Sequence, residues 1–346
     1  MAARNHEVTK PQKLLDEKGN IAEPGWARKP LQQYSRDQIK APGFLIKEWD
    51  YYLVVGDDYA VAFTLSDDGY VGLQSVSLLD FTEEPWEHTE TVLDAFPMGK
   101  LNMPTDSSKG DIVYEKNKLR LHYLLEEEKG GKVRHIVCSF DDFYEGKPFC
   151  CDIRLHQPDM DTMVIATPWD KKGRFYYNQK INCMRAEGYA EYNGKRYEFF
   201  PDRNFGTLDW GRGVWTYDNT WYWGAGNCDV DGHAFGFNIG YGFGNTKAAS
   251  ENTIFYDGVA HKIDDVTFVI PEDDYCKPWK FTSSDGRFEM DFEPILDRSA
   301  CLDYKVIVSD QHQVFGRMHG KAILDDGTEI PVSNLLCFAE KVHNRY

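Results

Sequence analysis

Asp209-Trp210-Gly211-Arg212-Gly213-Val214-Trp215 brings an acid, a guanidinium and two indoles together beside two glycines. A carboxylate next to a guanidinium suits proton transfer on a bound molecule, and glycine leaves room for a ligand or a second backbone. If the segment is a strand, its period of two puts Asp209, Gly211 and Gly213 on one face and Trp210 and Arg212 on the other. The same residues also fit a buried Asp–Arg pair bracing a barrel mouth while the indoles fill a core. Further along, Trp215, Tyr217, Trp221, Tyr222 and Trp223 crowd together. They read either as an aromatic wall that stacks on a flat ring or steadies a developing cation, or as core packing. Asn238 precedes the Gly-rich GYGFGN run, and Glu251-Asn252 follows it. Glu251 there is a candidate general acid or base and Asn252 a candidate ligand-binding amide, with a solvated turn as the alternative. His319, flanked by Met318 and Gly320, is a reserve base or a satisfied core histidine. Asn227-x-Asp229-x-Asp231-Gly232 imitates the start of a calcium loop. Its twelfth position is Asn238, where a bidentate Glu is needed, so it reads as a hairpin turn.

These residues need strands to hold them. Aromatics make up 14% of the chain and Gly reaches 29 residues, while long stretches with helical spacing are scarce. From Lys47 onward, short strand-like runs such as WDYYLVVG and YAVAFTLSDDGYVGLQ are separated by Asp-Asp-Gly, Lys-Asn and Gly-Gly turn signals, and the later runs alternate with period two. The expectation is an all-β protein of two antiparallel β-barrel halves. Residues 1–40, broken by Pro, Gly and charge, form an extended arm; 41–200 make the first half and 201–346 the second.

With 56 acidic against 39 basic residues, the net charge of -17 disfavours nucleic-acid and anionic-membrane partners. No apolar run approaches a membrane span. The eight Cys show no CxxC spacing, which suggests reduced thiols and a cytoplasmic setting with no metal site. Neither Gly-x-Gly-x-x-Gly, a P-loop, Gly-x-Ser-x-Gly nor His-Glu-x-x-His occurs, so no cofactor is expected. Nothing in the sequence sets the oligomeric state.

The segment 204–215, with Glu251-Asn252-Thr253, His312-Gln313-Val314-Phe315-Gly316 and Lys47-Glu48-Trp49-Asp50-Tyr51-Tyr52, resembles the family called domain of unknown function 2804. More distantly, YYNQKINCMRAEGYAEYNGKRYEF followed by LDWG is similar to the central signature of the AttH, carotenoid hydratase and tocopherol cyclase group. That resemblance implies paired lipocalin-like barrels and an acid-bearing Asp-x-x-Trp-Gly motif at their junction. Asp209-Trp210-Gly211 is its counterpart here, with Asp209 directly before Trp210 rather than three positions ahead.

The leading expectation is a cofactor-independent hydratase, cyclase, lyase or isomerase acting on a hydrophobic or amphipathic small molecule held between the halves. Asp209, Glu251 or His319 would exchange the proton and Arg212 would hold an anion or tune the acid. Trp210, Trp215, Tyr217, Trp223, Asn238 and Asn252 would shape the pocket. A non-catalytic lipid or pigment carrier is the rival. A carbohydrate-active protein, resting on Trp stacking plus acids, is third.

Overall fold

Alternating apolar and polar residues between tight turns produce antiparallel strands, and the turns have the chemistry that hairpins need. Asn193-Gly194, Asp231-Gly232 and Asp257-Gly258 each place two successive residues at positive φ. That mirror-image turn matches the right-handed twist of the strands it joins. The computed structural model describes residues 4–303 and 308–345. Among them there is no α-helix, only the 3-10 turns Arg36–Gln38 and Gly43–Leu45, and so no helix long and apolar enough to cross a membrane.

Two strongly curled antiparallel sheets make up the protein, as the periodicity predicts. The first holds 13 strands, with Phe205–Val214 paired between Ile46–Val55 and Phe175–Tyr192. The second holds 9 strands, with Asp218–Val230 paired between Glu329–Arg345 and His233–Tyr241. The chain passes from one sheet to the other between Val214 and Asp218. The Phe205–Val214 strand therefore completes the first sheet, although residue 201 is the boundary expected from the sequence. Its ten residues are all buried, because a strand covered on both faces has no solvent side.

Three apolar layers follow from the two-sided burial. Val54, Phe63, Ile153 and Trp210 belong to the layer inside the first curl. Phe237, Trp279, Phe292 and Val314 belong to the layer inside the second. Tyr51, Tyr176, Trp223, Phe315 and Phe338 make the layer between the sheets. The arm does not hang free. Gly25–Ala27 pairs with Met163–Pro168, and the His6 amide donates to the Ala248 carbonyl at 2.8 Å. Arg28 then donates Nη1 to Asp161 at 2.6 Å and to the Ala260 carbonyl at 2.9 Å, joining the two sheets through one guanidinium.

Removing that tie has a measurable cost. In Arg28→Ala the half-exposed ion pair adds little, and losing the hydrogen bonds lowers stability by about 1 kcal/mol. A lower urea midpoint together with faster protease cleavage in the first thirty or so residues is expected. An unchanged midpoint and cleavage pattern would show that the arm is held elsewhere.

Candidate active site

Cross-strand register builds the site as two facing rows. In the first sheet, Lys180 lies opposite Asp209, Asp209 opposite Tyr51 and Tyr51 opposite Thr64. In the second, Arg298 lies opposite Gln313, Gln313 opposite Glu340 and Glu340 opposite Trp223. Directly opposed residues share a face. The two rows look at each other across a cavity of about 230 Å³ between the sheets, which all eight residues line.

The strand Phe205–Val214 decides which of its residues reach this space. Asp209 lines it, while alternation turns Trp210 and Arg212 into the first curl. There the Trp210 ring meets Tyr34 and Tyr177 edge-on, at 6.3 and 5.7 Å. Arg212 is fully buried and bonds to Asp50 at 2.9 Å, and to the carbonyls of Trp49 and Pro104. The brace expected as an alternative thus exists, with Asp50 rather than Asp209 as its acid. Trp210 and Arg212 are scaffold and cannot serve as pocket wall or anion clamp from where they stand.

On the cavity face the two glycines are occupied by indoles. A Cβ added at Gly211 would lie 2.0 Å from the Trp49 ring, and one at Gly213 would lie 3.1 Å from Trp215 Nε1. Trp49 stacks on Tyr176 at 6.2 Å and meets Trp215 edge-on at 5.6 Å. Trp215 in turn meets Trp221 edge-on at 5.3 Å. With Trp223 and Phe243, these rings wall the cavity, and the exposed Tyr217 stands at its rim.

The polar end is an ion pair facing an acid. Lys180 Nζ lies 2.8 Å from Asp209 and 3.8 Å from the centre of the Trp223 ring, with its side chain 1% exposed. Asn178 donates to the other oxygen of Asp209 at 2.6 Å. Glu340 accepts from Trp221 Nε1 at 3.0 Å and from Gln313 Nε2 at 3.0 Å. Burial pushes the Glu340 carboxyl up from 4.5 to about 7, against the opposing pull of the Trp221 hydrogen bond and the Lys180 charge.

The remaining sequence candidates lie outside the lining. Asn238 accepts from Trp223 Nε1 at 2.7 Å, so it fixes the ring rather than facing the cavity. Asn252 accepts from the Gly240 amide at 2.8 Å and donates to the Asp264 carbonyl at 3.0 Å, closing a turn. His319 takes the Asn334 amide at 3.1 Å, away from the cavity. Glu251 is buried, and burial raises its carboxyl against the charge of Lys180. Neither of its oxygens has a hydrogen-bond partner among the described residues. The calcium-like segment is a hairpin: Asp229 pairs with Arg185, and Asp231-Gly232 makes the turn.

Lys180, Glu340, Gln313 and Arg298 were missed as site residues. Alternation within YYNQKINC and NLLCFAEKVH shows a charge inside each buried strand, which is an unusual signal. Register within the second sheet aligns Arg298, Gln313 and Glu340, and the facing of the two sheets brings Lys180 opposite them.

Two measurements probe this geometry. Gly211→Ala forces Trp49 off the sheet and into the cavity, costing about 1–3 kcal/mol in urea unfolding and changing tryptophan emission; unchanged emission would mean the ring does not rest there. Because the raised Glu340 carboxyl holds its proton in the folded protein where the unfolded chain has lost it, folding stability falls as pH rises from 4.5 to about 7. Glu340→Gln removes that loss. The variant should therefore gain on the wild type across this window, by on the order of 3 kcal/mol at most, and a constant difference would refute the shift.

No curated protein matches the sequence. Solved structures share the architecture at low identity. A Nitrosomonas europaea protein provisionally named AttH superposes with a TM-score of 0.50 and 12% identity over 91% of this chain and 98% of its own. Kievitone hydratase from Nectria haematococca gives 0.46 and 10% over 97% and 98%, and CghA gives 0.44 and 9% over 97% of both chains. The AttH likeness supports the paired lipocalin-like fold and nothing finer. The family profile for domain of unknown function 2804 matches residues 5–346, and the chain belongs to that family.

Proposed function

We propose that the chain catalyses cofactor-independent acid/base chemistry, of the hydratase, cyclase, lyase or isomerase type, on a hydrophobic small molecule held between its two sheets. The observation that carries this reading is the pair of unlike carboxyls in one aromatic cavity. Glu340 is raised to about 7 and so holds a proton near neutral pH, while Asp209 is paired with Lys180. A carboxyl raised by burial that faces a second carboxyl paired with a cation is a usual form of an acid and its counterpart.

In this mechanism Glu340 transfers its proton to a double bond or an oxygen of the substrate and is left as a carboxylate. Trp221 and Gln313, which already donate to its two oxygens, stabilise that charge. The positive charge developing on the substrate lies among the faces of Trp49, Trp215 and Trp221, where ring quadrupoles favour cations. Asp209 then takes a proton either from the substrate or from a water whose oxygen bonds to the cationic carbon; in both cases the substrate's positive charge is neutralised and the proton ends on Asp209. Lys180 and Asn178 hold the Asp209 side chain in place, and the aromatic walls limit stray water.

The test is turnover of an extract rich in apolar metabolites, followed by mass spectrometry. The wild type should consume a species and yield an isomer, or a product changed by one water, and Asp209→Asn and Glu340→Gln should each lose about a hundredfold or more of that rate. Recovery of the same molecule, bound and unchanged, from all three proteins would instead identify a carrier.

A further inference from the structure

Cations in and around the cavity are matched to acids with one exception. Lys180 pairs with Asp209 at 2.8 Å, and Lys47 donates to the Asp68 carbonyl at 3.0 Å beside the buried Asp68 carboxyl. Behind the wall, Arg212 pairs with Asp50. Arg298 lines the same cavity and is half-buried, yet it makes no ion pair among the described residues. Its hydrogen bond is a single one, from Nη1 to the hydroxyl of Ser77 at 3.1 Å, across the gap to the first sheet.

That leaves most of a five-donor guanidinium fork unused in a wall where burial makes an uncompensated charge costly. The balance of charge points the same way. The lining carries Lys47, Lys180 and Arg298 against Asp68, Asp209 and Glu340. Burial pushes both Lys47 and Asp68 towards their neutral forms, so they count as a balanced pair; with Glu340 protonated, Lys180 and Arg298 then face Asp209 alone, in a chain whose net charge is -17. A local surplus of one positive charge in so acidic a protein is a feature of the cavity, not of the composition.

We propose that the cavity selects a hydrophobic monocarboxylate, whose carboxylate binds Arg298 while its apolar body lies among the tryptophans. This rests on the reading of the cavity as a small-molecule site and names the class of molecule. A surplus of one charge matches a monoanion; a phosphate dianion would leave the cavity negative. The planar fork of arginine accepts a carboxylate through two parallel hydrogen bonds, which an alcohol or ester cannot return. In the register of the second sheet Gln313 stands between Arg298 and Glu340, so an acid anchored at Arg298 extends its chain toward the proton donor.

The test is calorimetric titration of the full chain with trans-cinnamate and with cinnamyl alcohol, at about pH 6, where Glu340 is mostly protonated. The wild type should bind the carboxylate about tenfold or more tightly than the alcohol, the difference that one charged hydrogen-bonded pair supplies. Arg298→Gln should erase that preference while leaving the affinity for the alcohol unchanged, which also reports an intact fold. Arg298→Lys should keep part of it. Equal binding of both probes by the wild type, or a preference that survives in Arg298→Gln, would overturn the assignment of Arg298 while leaving the cavity reading in place. No binding of either probe to the wild type would overturn the cavity reading, and the carboxylate assignment with it.

Discussion

Lys180 and Asp209 form an ion pair in the layer between two sheets, and much of the site is arranged around holding it there. Taking two charges out of water costs several kcal/mol per ion, so such a pair survives only where further groups compensate. Asn178 donates to the carboxylate and the Trp223 ring lies against the ammonium. Asn238 in turn fixes Trp223 by accepting from its indole nitrogen. Replacing such pairs with apolar residues is commonly neutral or stabilising, so packing alone gives little reason to keep one. A charged pair lining a cavity is better accounted for by what it does to a bound molecule and to the neighbouring Glu340.

The cavity is an electrostatic arrangement as much as a shape. One wall offers a carboxyl paired with an ammonium, the other a carboxyl that burial raises to about 7. The difference arises from partners. Asp209 has a full cation at 2.8 Å, whereas Glu340 has only an indole and an amide at 3.0 Å. Neutral donors stabilise a carboxylate less than an ammonium does, so burial raises the Glu340 carboxyl despite its two hydrogen bonds. The aromatic rings contribute by keeping the local dielectric low, which strengthens every interaction among these groups.

The fold was legible because alternation and turn chemistry are local. Asp231-Gly232 and Asp257-Gly258 announce hairpins without any partner strand. The split of the Phe205–Val214 strand into two faces was legible for the same reason, and so was the presence of Asp209, Trp215 and Trp223 near one another. What the sequence could not say is which face is which. Gly211 suggested space for a ligand, but Trp49, from a strand more than a hundred and fifty residues earlier, fills it. Arg212 looked like a partner for Asp209 by proximity in sequence, yet strand residues three apart point to opposite faces and its acid is Asp50. Glu340, Gln313 and Arg298 sit in three different strands, and only the register of the second sheet aligns them. Residue 201 falls inside the Gly- and aromatic-rich stretch that joins the halves, and hydrogen bonding, which no local pattern announces, keeps Phe205–Val214 in the first sheet.

The central claim is that burial raises the Glu340 carboxyl to about 7, opposite an Asp209 that is paired with Lys180. Its most direct test is a carboxyl-carbon NMR titration of protein labelled at glutamate, with the Glu340 resonance assigned by its absence in Glu340→Gln. The account predicts a midpoint at about 7 for that one signal. A midpoint at the ordinary 4.5 would contradict it, leaving two like carboxylates in the cavity and no acid to begin the reaction.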